Sequence, residues 1–379
     1  MFYLTTKVSP KVRQMTLEEL LFGSEIKPIY TNPKGSNTRT YKVANIPIEY
    51  KIRLNTRAMI EELQKFRERY SHLKEIERHS LYRTFPLPKK SGGLRWINAP
   101  EGELMRALRD LKEILEGTCG ALYHTSAFAY IKKRSTLDAL KRHQANESKW
   151  YAKLDLSKFF DSTTLEFTMS MLSIIYPFSE IVEWKDGREA LEWAIELGFL
   201  DGGLPQGTPL SPTLTNIIMI PIDFEFNALM RKKEINFVCT RYADDFTISS
   251  RKNFDVKDVE ETLLGVMAQF KAPFKLNREK TRYGSVAGQN WNLGLMINAN
   301  NEITVGHKRK REFKAMLTNY IMDTVNGKPW NMGDVQTLEG LRSYYSSVEP
   351  QTIDEIINKI DAKFGVNVRE MIKIQLHGS

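Results

Sequence analysis

Cysteine is almost absent: Cys119 and Cys239 are the only two in 379 residues. So few exclude a disulfide framework and a zinc-ligand cluster. Buried, reduced thiols in a cytoplasmic protein are the expectation. Long apolar runs are missing as well. The most apolar stretch, NIIMIPI, is far shorter than a bilayer span. The opening MFYLTTKVSPKVRQ has neither the apolar core nor the small-residue cleavage site of a secretory leader. No membrane is therefore expected among the partners. No repeat with a period of roughly 20 to 50 residues recurs, which excludes a solenoid. Acidic charge is in deficit, with 46 Asp and Glu against 55 Lys and Arg and a net charge of +9. That excess suits a polyanionic partner, although many enzymes without one are as basic.

What is present is globular. Apolar residues make up 41% and charged residues 27% of the chain, enough for one large or two to three modest domains. NTRAMIEELQKFRERYSHLKEIERH (55–79) has helical apolar spacing and predicts a helix or helix pair. FPLPKKSGGLRWINAP (85–100) predicts a hairpin around Ser-Gly-Gly, and GELMRALRDLKEILEGT a helix closing near Gly117. KWYAKLDLSKFFDS (149–162) predicts a buried strand running into a turn. WKDGREALEWAIELGFL predicts a helix, and TLTNIIMIPIDFEFNALMRKK one long helix. INFVCTRYADDFTISS predicts two strands around Ala243-Asp244-Asp245, followed by a helix over DVKDVEETLLGVMAQFKAPF and a short strand at WNLGLMIN. From about Glu302 the pattern turns helical, beginning with the basic GHKRKREFKAML and continuing with two more helices. A boundary is expected near residue 305, after an α+β core.

Three features carry chemistry. Asp155 ends the apolar strand LDL, and Asp244 and Asp245 sit between Tyr242 and Phe246. A carboxylate buried in apolar surroundings without a partner costs several kcal/mol, on the order of 2–7 for an unpaired polar group. Lys or Arg neighbours, or divalent cations, must stand close. Clustered carboxylates suit Mg²⁺, a hard ion that prefers oxygen. An Asp-Asp pair by itself is more often a surface turn. LPQGTPLSP (204–212) breaks regular structure before a helix, whose free N–H groups favour a phosphate or a packed base. Such loops are also common with no ligand. Lys89, Lys90 and Arg95 on the hairpin could fold over a triphosphate, or be an ordinary solvated basic hairpin.

In chain order these pieces are a basic hairpin, Asp155 with Phe159-Phe160, LPQGTPLSP, Tyr242-Ala243-Asp244-Asp245, NREKT (277–281) and Asn292-Leu293-Gly294. That order resembles the reverse transcriptases, RNA-directed DNA polymerases with a right-hand fold, over about Phe85 to Asn298. The resemblance implies an α+β architecture of fingers, a palm whose antiparallel sheet carries YADD, and a helical thumb. It places a helical N-terminal extension at 1–80 and fingers with palm elements at 81–148 and 163–215. The palm would be 149–162 and 216–304, and the thumb 305–379. Asp155, Asp244 and Asp245 become ligands of two Mg²⁺ ions, with Mn²⁺ a substitute. Phe160 matches the bulky gate against a ribose 2′-hydroxyl, and Gln206 the glutamine beside the incoming dNTP. Lys89, or its neighbour Lys90, and Arg95 match residues on the triphosphate. Lys280 matches a lysine that protonates pyrophosphate, although a solvated helix-end lysine reads as well. Arg134 in FAYIKKRST would face the template, WNLGLMI would be a primer-grip hairpin, and Lys308 and Arg309 would contact a nucleic-acid backbone.

No stretch resembles an RNase H, endonuclease or maturase region, so a compact bacterial enzyme of the retron or defence-associated, abortive-infection type is expected. Retron enzymes usually carry Val-Thr-Gly after the palm, whereas Ala287 stands at the Thr position here. The implied function is copying of a structured noncoding RNA into DNA in anti-phage defence. A template-independent or protein-primed DNA polymerase and a catalytically silent RNA-binding protein are the alternatives. Expected partners are the noncoding RNA template, the DNA product, dNTPs, and an effector protein or a second copy of the chain.

Overall fold

The computed structural model describes residues 27–29, 38–42, 49–53, 56–89, 92–119, 123–286 and 294–377. Lys90, Ala287 and residues 291–293 of the expected primer grip lie outside these residues. Before Thr56 the described backbone is strand where helix was expected. β1 (Lys27–Ile29), β2 (Thr38–Lys42) and β3 (Glu49–Arg53) form an antiparallel sheet in sequence order. Helix α1 (Thr56–Tyr70) follows, burying Met59, Ile60, Leu63, Phe66 and Tyr70 at the three- and four-residue spacing of one helical face.

The chain divides into two compact units. One takes in the chain up to Arg134, with Lys153–Phe246 and Asp255–Thr281. It contains the hairpin β4 (Tyr82–Pro88) and β5 (Leu94–Pro100), paired from Tyr82↔Pro100 to Pro88↔Leu94. Helix α2 (Gly102–Cys119) follows it. After a segment belonging to the other unit come most of β6 (Trp150–Ser157), then α4 (Phe159–Ser162), α5 (Leu165–Leu172), α6 (Phe178–Ile181) and α7 (Lys185–Glu196). α1 packs against α6 and α7. The expected long helix after LPQGTPLSP is two helices, α8 (Ser211–Ile218) and α9 (Ile220–Lys232), joined at Met219. Pro221 stands in the first turn of α9, where its missing N–H and its ring are compatible only with a helix start. β7 (Val238–Tyr242) and β8 (Asp245–Ser250) are the hairpin arms, α10 (Val256–Gln269) packs on α9, and β9 (Lys275–Leu276) pairs with β6. The strand order is β10-β6-β8-β7, in which β10 (Arg282–Ser285), the start of β6 and most of β8 belong to the second unit.

The second unit is Ser135–Ala152, Thr247–Phe254 and Arg282–Ser379. It reaches back past the expected boundary at 305. Its helices are α3 (Thr136–Ala145), α11 (His307–Val325), α12 (Met332–Val348), α13 (Pro350–Phe364) and α14 (Val368–His377), one more at the C-terminal end than the sequence pattern indicated. They share one apolar core. Leu140 and Tyr151 from the early segment join Phe313, Leu317, Val335, Leu338, Ile353 and Ile357 in it. Among the described residues no helix is long and apolar enough to cross a membrane.

Candidate active site

β6 alternates its side chains across the sheet, so Lys153 and Asp155 leave it on the same face. The pairing Leu156↔Leu276 and Ser157↔Lys275 lays β9 beside the end of β6, and the Asn277 N–H donates to the Asp155 carbonyl at 2.7 Å. The turn that follows carries Lys280 back, placing its Nζ 3.1 Å from both oxygens of Asp155. On the other flank, the Leu156 N–H donates to the Asp244 carbonyl at 3.1 Å, which ties the β7–β8 turn to the same strand end. Asp245 begins β8 and accepts an ion pair from Lys153 at 2.8 Å. Asp155 and Asp245 therefore each have a lysine.

Asp244 makes no ion pair among the described residues. Burial, then Asp245, then the more distant Asp155 push its carboxyl up to about 6. Asp245 is also held above the ordinary carboxylate range, by burial first, with Lys153 pulling the other way. As they stand, no three His, Cys, Asp or Glu side chains among the described residues are grouped to hold a metal ion. Lys153 and Lys280 lie on oxygens that such an ion would take. The donor set is nonetheless all carboxylate, which fits a hard divalent cation.

Under the turn lies a second charged group that pattern-reading overlooked. Arg241 and Asp223 are both 1% exposed at the side chain. The Arg241 Nε donates to Asp223 Oδ1 at 2.8 Å and its Nη2 to Oδ2 at 2.7 Å, a bidentate pair. Its Nη1 donates to Asn216 Oδ1 at 3.2 Å and to the Ala243 carbonyl at 3.0 Å. Ala243 is left-handed, with φ of 57°. One guanidinium thus fixes the residue that turns the chain into Asp244. A charged residue within buried strand sequence, immediately before Tyr242, was the available signal.

The remaining expected residues fall into two sets. Phe160 and Gln206 are half-buried and backbone-linked: the Leu204 N–H donates to the Phe160 carbonyl at 3.0 Å, and the Asn98 N–H to the Gln206 carbonyl at 2.8 Å. Gly207 allows this contact, since at φ of 109° a Cβ would stand 2.6 Å from Ile97 Cγ2. Gly203 lies as close to the other side, its Cβ position 2.5 Å from the Asp161 carbonyl oxygen. LPQGTPLSP is thereby pinned between α4 and the β4–β5 hairpin. The loop does not present an open helix start. The Thr208 hydroxyl accepts from the Ser211 N–H at 3.1 Å, and Pro212 has no N–H to offer. Lys89 and Arg95 are exposed on the hairpin.

Arg134 and Arg309 are both engaged with backbone carbonyls. The Arg134 Nη1 donates to the carbonyls of His124 and Ala127, each at 2.7 Å, so it clamps its own loop. Arg309 donates to the Gly294 carbonyl at 2.7 Å within the second unit. Lys308 is exposed and lies 3.9 Å from Glu312.

The family model for reverse transcriptase (RNA-dependent DNA polymerase) matches residues 87–315, more than half of the chain. The chain belongs to the reverse transcriptase family. The matched span contains all three aspartates, LPQGTPLSP and Lys280. Among its relatives, the retron Ec83 reverse transcriptase of Escherichia coli is 28% identical over 305 residues, covering 77% of this chain and 89% of that one. The retron Mx162 reverse transcriptase of Myxococcus xanthus is 27% identical over 303 residues, covering 73% of this chain and 60% of that one. The resemblance to bacterial reverse transcriptases of the retron kind holds, and with it an RNA-directed DNA polymerase on an α+β polymerase fold. A solved telomerase from Candida albicans, in complex with a fragment of telomeric RNA, matches at a TM-score of 0.46 and 11% identity, over 87% of this chain and 61% of that one.

Proposed function

We propose that this reverse transcriptase copies a structured noncoding RNA into DNA by Mg²⁺-dependent addition of dNTPs to a 3′ end, in bacterial anti-phage defence. The observation that supports the catalytic reading is the backbone bond that ties the Asp244–Asp245 turn to the strand end carrying Asp155, with the Asp244 carboxyl raised to about 6 by burial first and then by Asp245. When bound, two magnesium ions activate a 3′-hydroxyl toward the α-phosphate and neutralise the departing pyrophosphate. The three aspartates would hold them. Lys280 would release its hold on Asp155 and give its proton to the pyrophosphate. Arg95 and Lys89, exposed on the hairpin, would neutralise the triphosphate. Phe160 would exclude a ribose 2′-hydroxyl, and Gln206, fixed through its backbone to the hairpin, would line the base. In this reading the fingers are 81–148 and 163–215, the palm 149–162 and 216–304, and the thumb 305–379, with Lys308 on the nucleic-acid backbone.

The test is dNTP incorporation on a primed RNA template with Mg²⁺. Asp244→Asn with Asp245→Asn should lower the rate by about a hundredfold or more, the scale for losing a main electrostatic stabiliser. Unchanged incorporation would remove the carboxylates from the chemistry.

A further inference from the structure

Tyr130 is half exposed, at 54%, yet its backbone is left-handed with φ of 60°. That combination is uncommon for a large side chain outside glycine-like turns. Strained backbone persists where the surroundings over-determine it, and here they do. The Phe128 N–H donates to the Arg241 carbonyl at 2.9 Å, and the Arg241 N–H to the Ser126 carbonyl at 2.6 Å. The Asn216 Nδ2 donates to the Ala129 carbonyl at 2.8 Å, and Arg134 holds the Ala127 carbonyl. Residues 126–129 are thereby laid along β7 as it enters the YADD turn, and Tyr130 is the next residue. Burial first, then Asp244 and Tyr242, raise its phenol, with Arg95 acting in the opposite sense. No hydrogen bond holds its phenol among the described residues. The fold thus fixes the backbone that leads into an aromatic ring and leaves its hydroxyl without a hydrogen bond among the described residues.

Resting on the polymerase reading above, we propose that Tyr130 is a substrate-contacting residue whose ring packs against a nucleobase at the insertion site. The base belongs either to the incoming dNTP or to the template position opposite it. Aromatic contact with a base is tolerant of sequence, because every base has a π face. That tolerance suits an enzyme that must accept all four.

The experiment compares Tyr130→Ala, Tyr130→Phe and Tyr130→Gly in the full chain. Two quantities are measured: KM and kcat for dNTP incorporation, and Kd for a primed RNA template with either an intact or an abasic templating position. Ala and Gly should raise the dNTP KM, or the Kd for the intact template, by roughly tenfold, about the size of one base–aromatic stack. Phe should stay within about twofold of wild type on the same scale. Gly takes the left-handed conformation without strain, so its melting temperature should equal or exceed that of wild type while its affinity falls. A residue serving only the fold would not lose affinity while keeping stability.

A loss confined to the intact template assigns the contact to the templating base. A loss in dNTP KM on both templates assigns it to the incoming nucleotide. Wild-type KM and Kd in both Ala and Gly, or a loss in Phe equal to that in Ala, would overturn the proposal. The binding arm needs no turnover. A wild-type protein that binds primed template and incorporates nothing would therefore refute the polymerase reading while still deciding the role of Tyr130.

Discussion

Two charged groups stand within a few residues of each other along β7 and its turn, and they are built in opposite ways. Arg241 and Asp223 are dry and fully matched, their hydrogen bonds closing on each other, Asn216 and the Ala243 carbonyl. Asp155, Asp244 and Asp245 are only partly matched, with two lysines for three carboxylates and a carboxyl raised to about 6. The closed group turns its charges on each other, and its work is to hold Ala243 in the turn. The open group retains capacity that a cation can fill. Charge that is complete supports the structure; in the proposed function, charge left incomplete beside it is what a cation and the chemistry would use.

Breaking the closed group has the largest expected effect. Arg241→Ala leaves Asp223 ionisable and buried without its partner, which should cost about 3–5 kcal/mol of stability. Urea unfolding measures it. A loss under about 1 kcal/mol, the level of an exposed pair, would mean that the two groups are not so different.

Relieving the open group should act in the opposite direction. Asp244 has a folded pKa of about 6 against 3.8 for an ordinary aspartate, so the folded state retains a proton that the unfolded chain gives up. The stability this contributes is complete below pH 4 and lost as pH rises through about 6. Asp244→Asn removes that slope, leaving the part due to Asp245. Above pH 6 it should be more stable than wild type by about 1–2 kcal/mol, after allowance for solvent around the site. Thermal melts from pH 4 to 8 without divalent ions would show it. Parallel curves for the two proteins would contradict the account.

The open group was largely legible in the chain. YADD, LDLSKFF and LPQGTPLSP are local patterns, and alternation, Gly and Pro place them on a strand end, a hairpin and a loop. The closed group was not, because Asp223 on α9 and Arg241 on β7 meet only after both elements have packed. The lysines show the same division. Lys153 lies two residues before Asp155 on one strand, so its direction followed from the period of two. Lys280 reaches Asp155 through a strand pairing of two residues, too short to leave a register in sequence. The early segments of the C-terminal unit were not legible, because Leu140 and Tyr151 enter its core from far upstream, and pattern does not report contacts at that separation. The bonds of Arg134 were hidden for a related reason: nothing in the sequence tells which carbonyls an arginine will find.

The most direct test of the open group is Mn²⁺ binding, followed by electron paramagnetic resonance, in wild type and in Asp244→Asn with Asp245→Asn. Wild type should bind Mn²⁺, more tightly when dNTP is present, and Mg²⁺ should compete. The variant should lose that binding while remaining folded. Equal binding by the two proteins would contradict the claim that these carboxylates form the metal site.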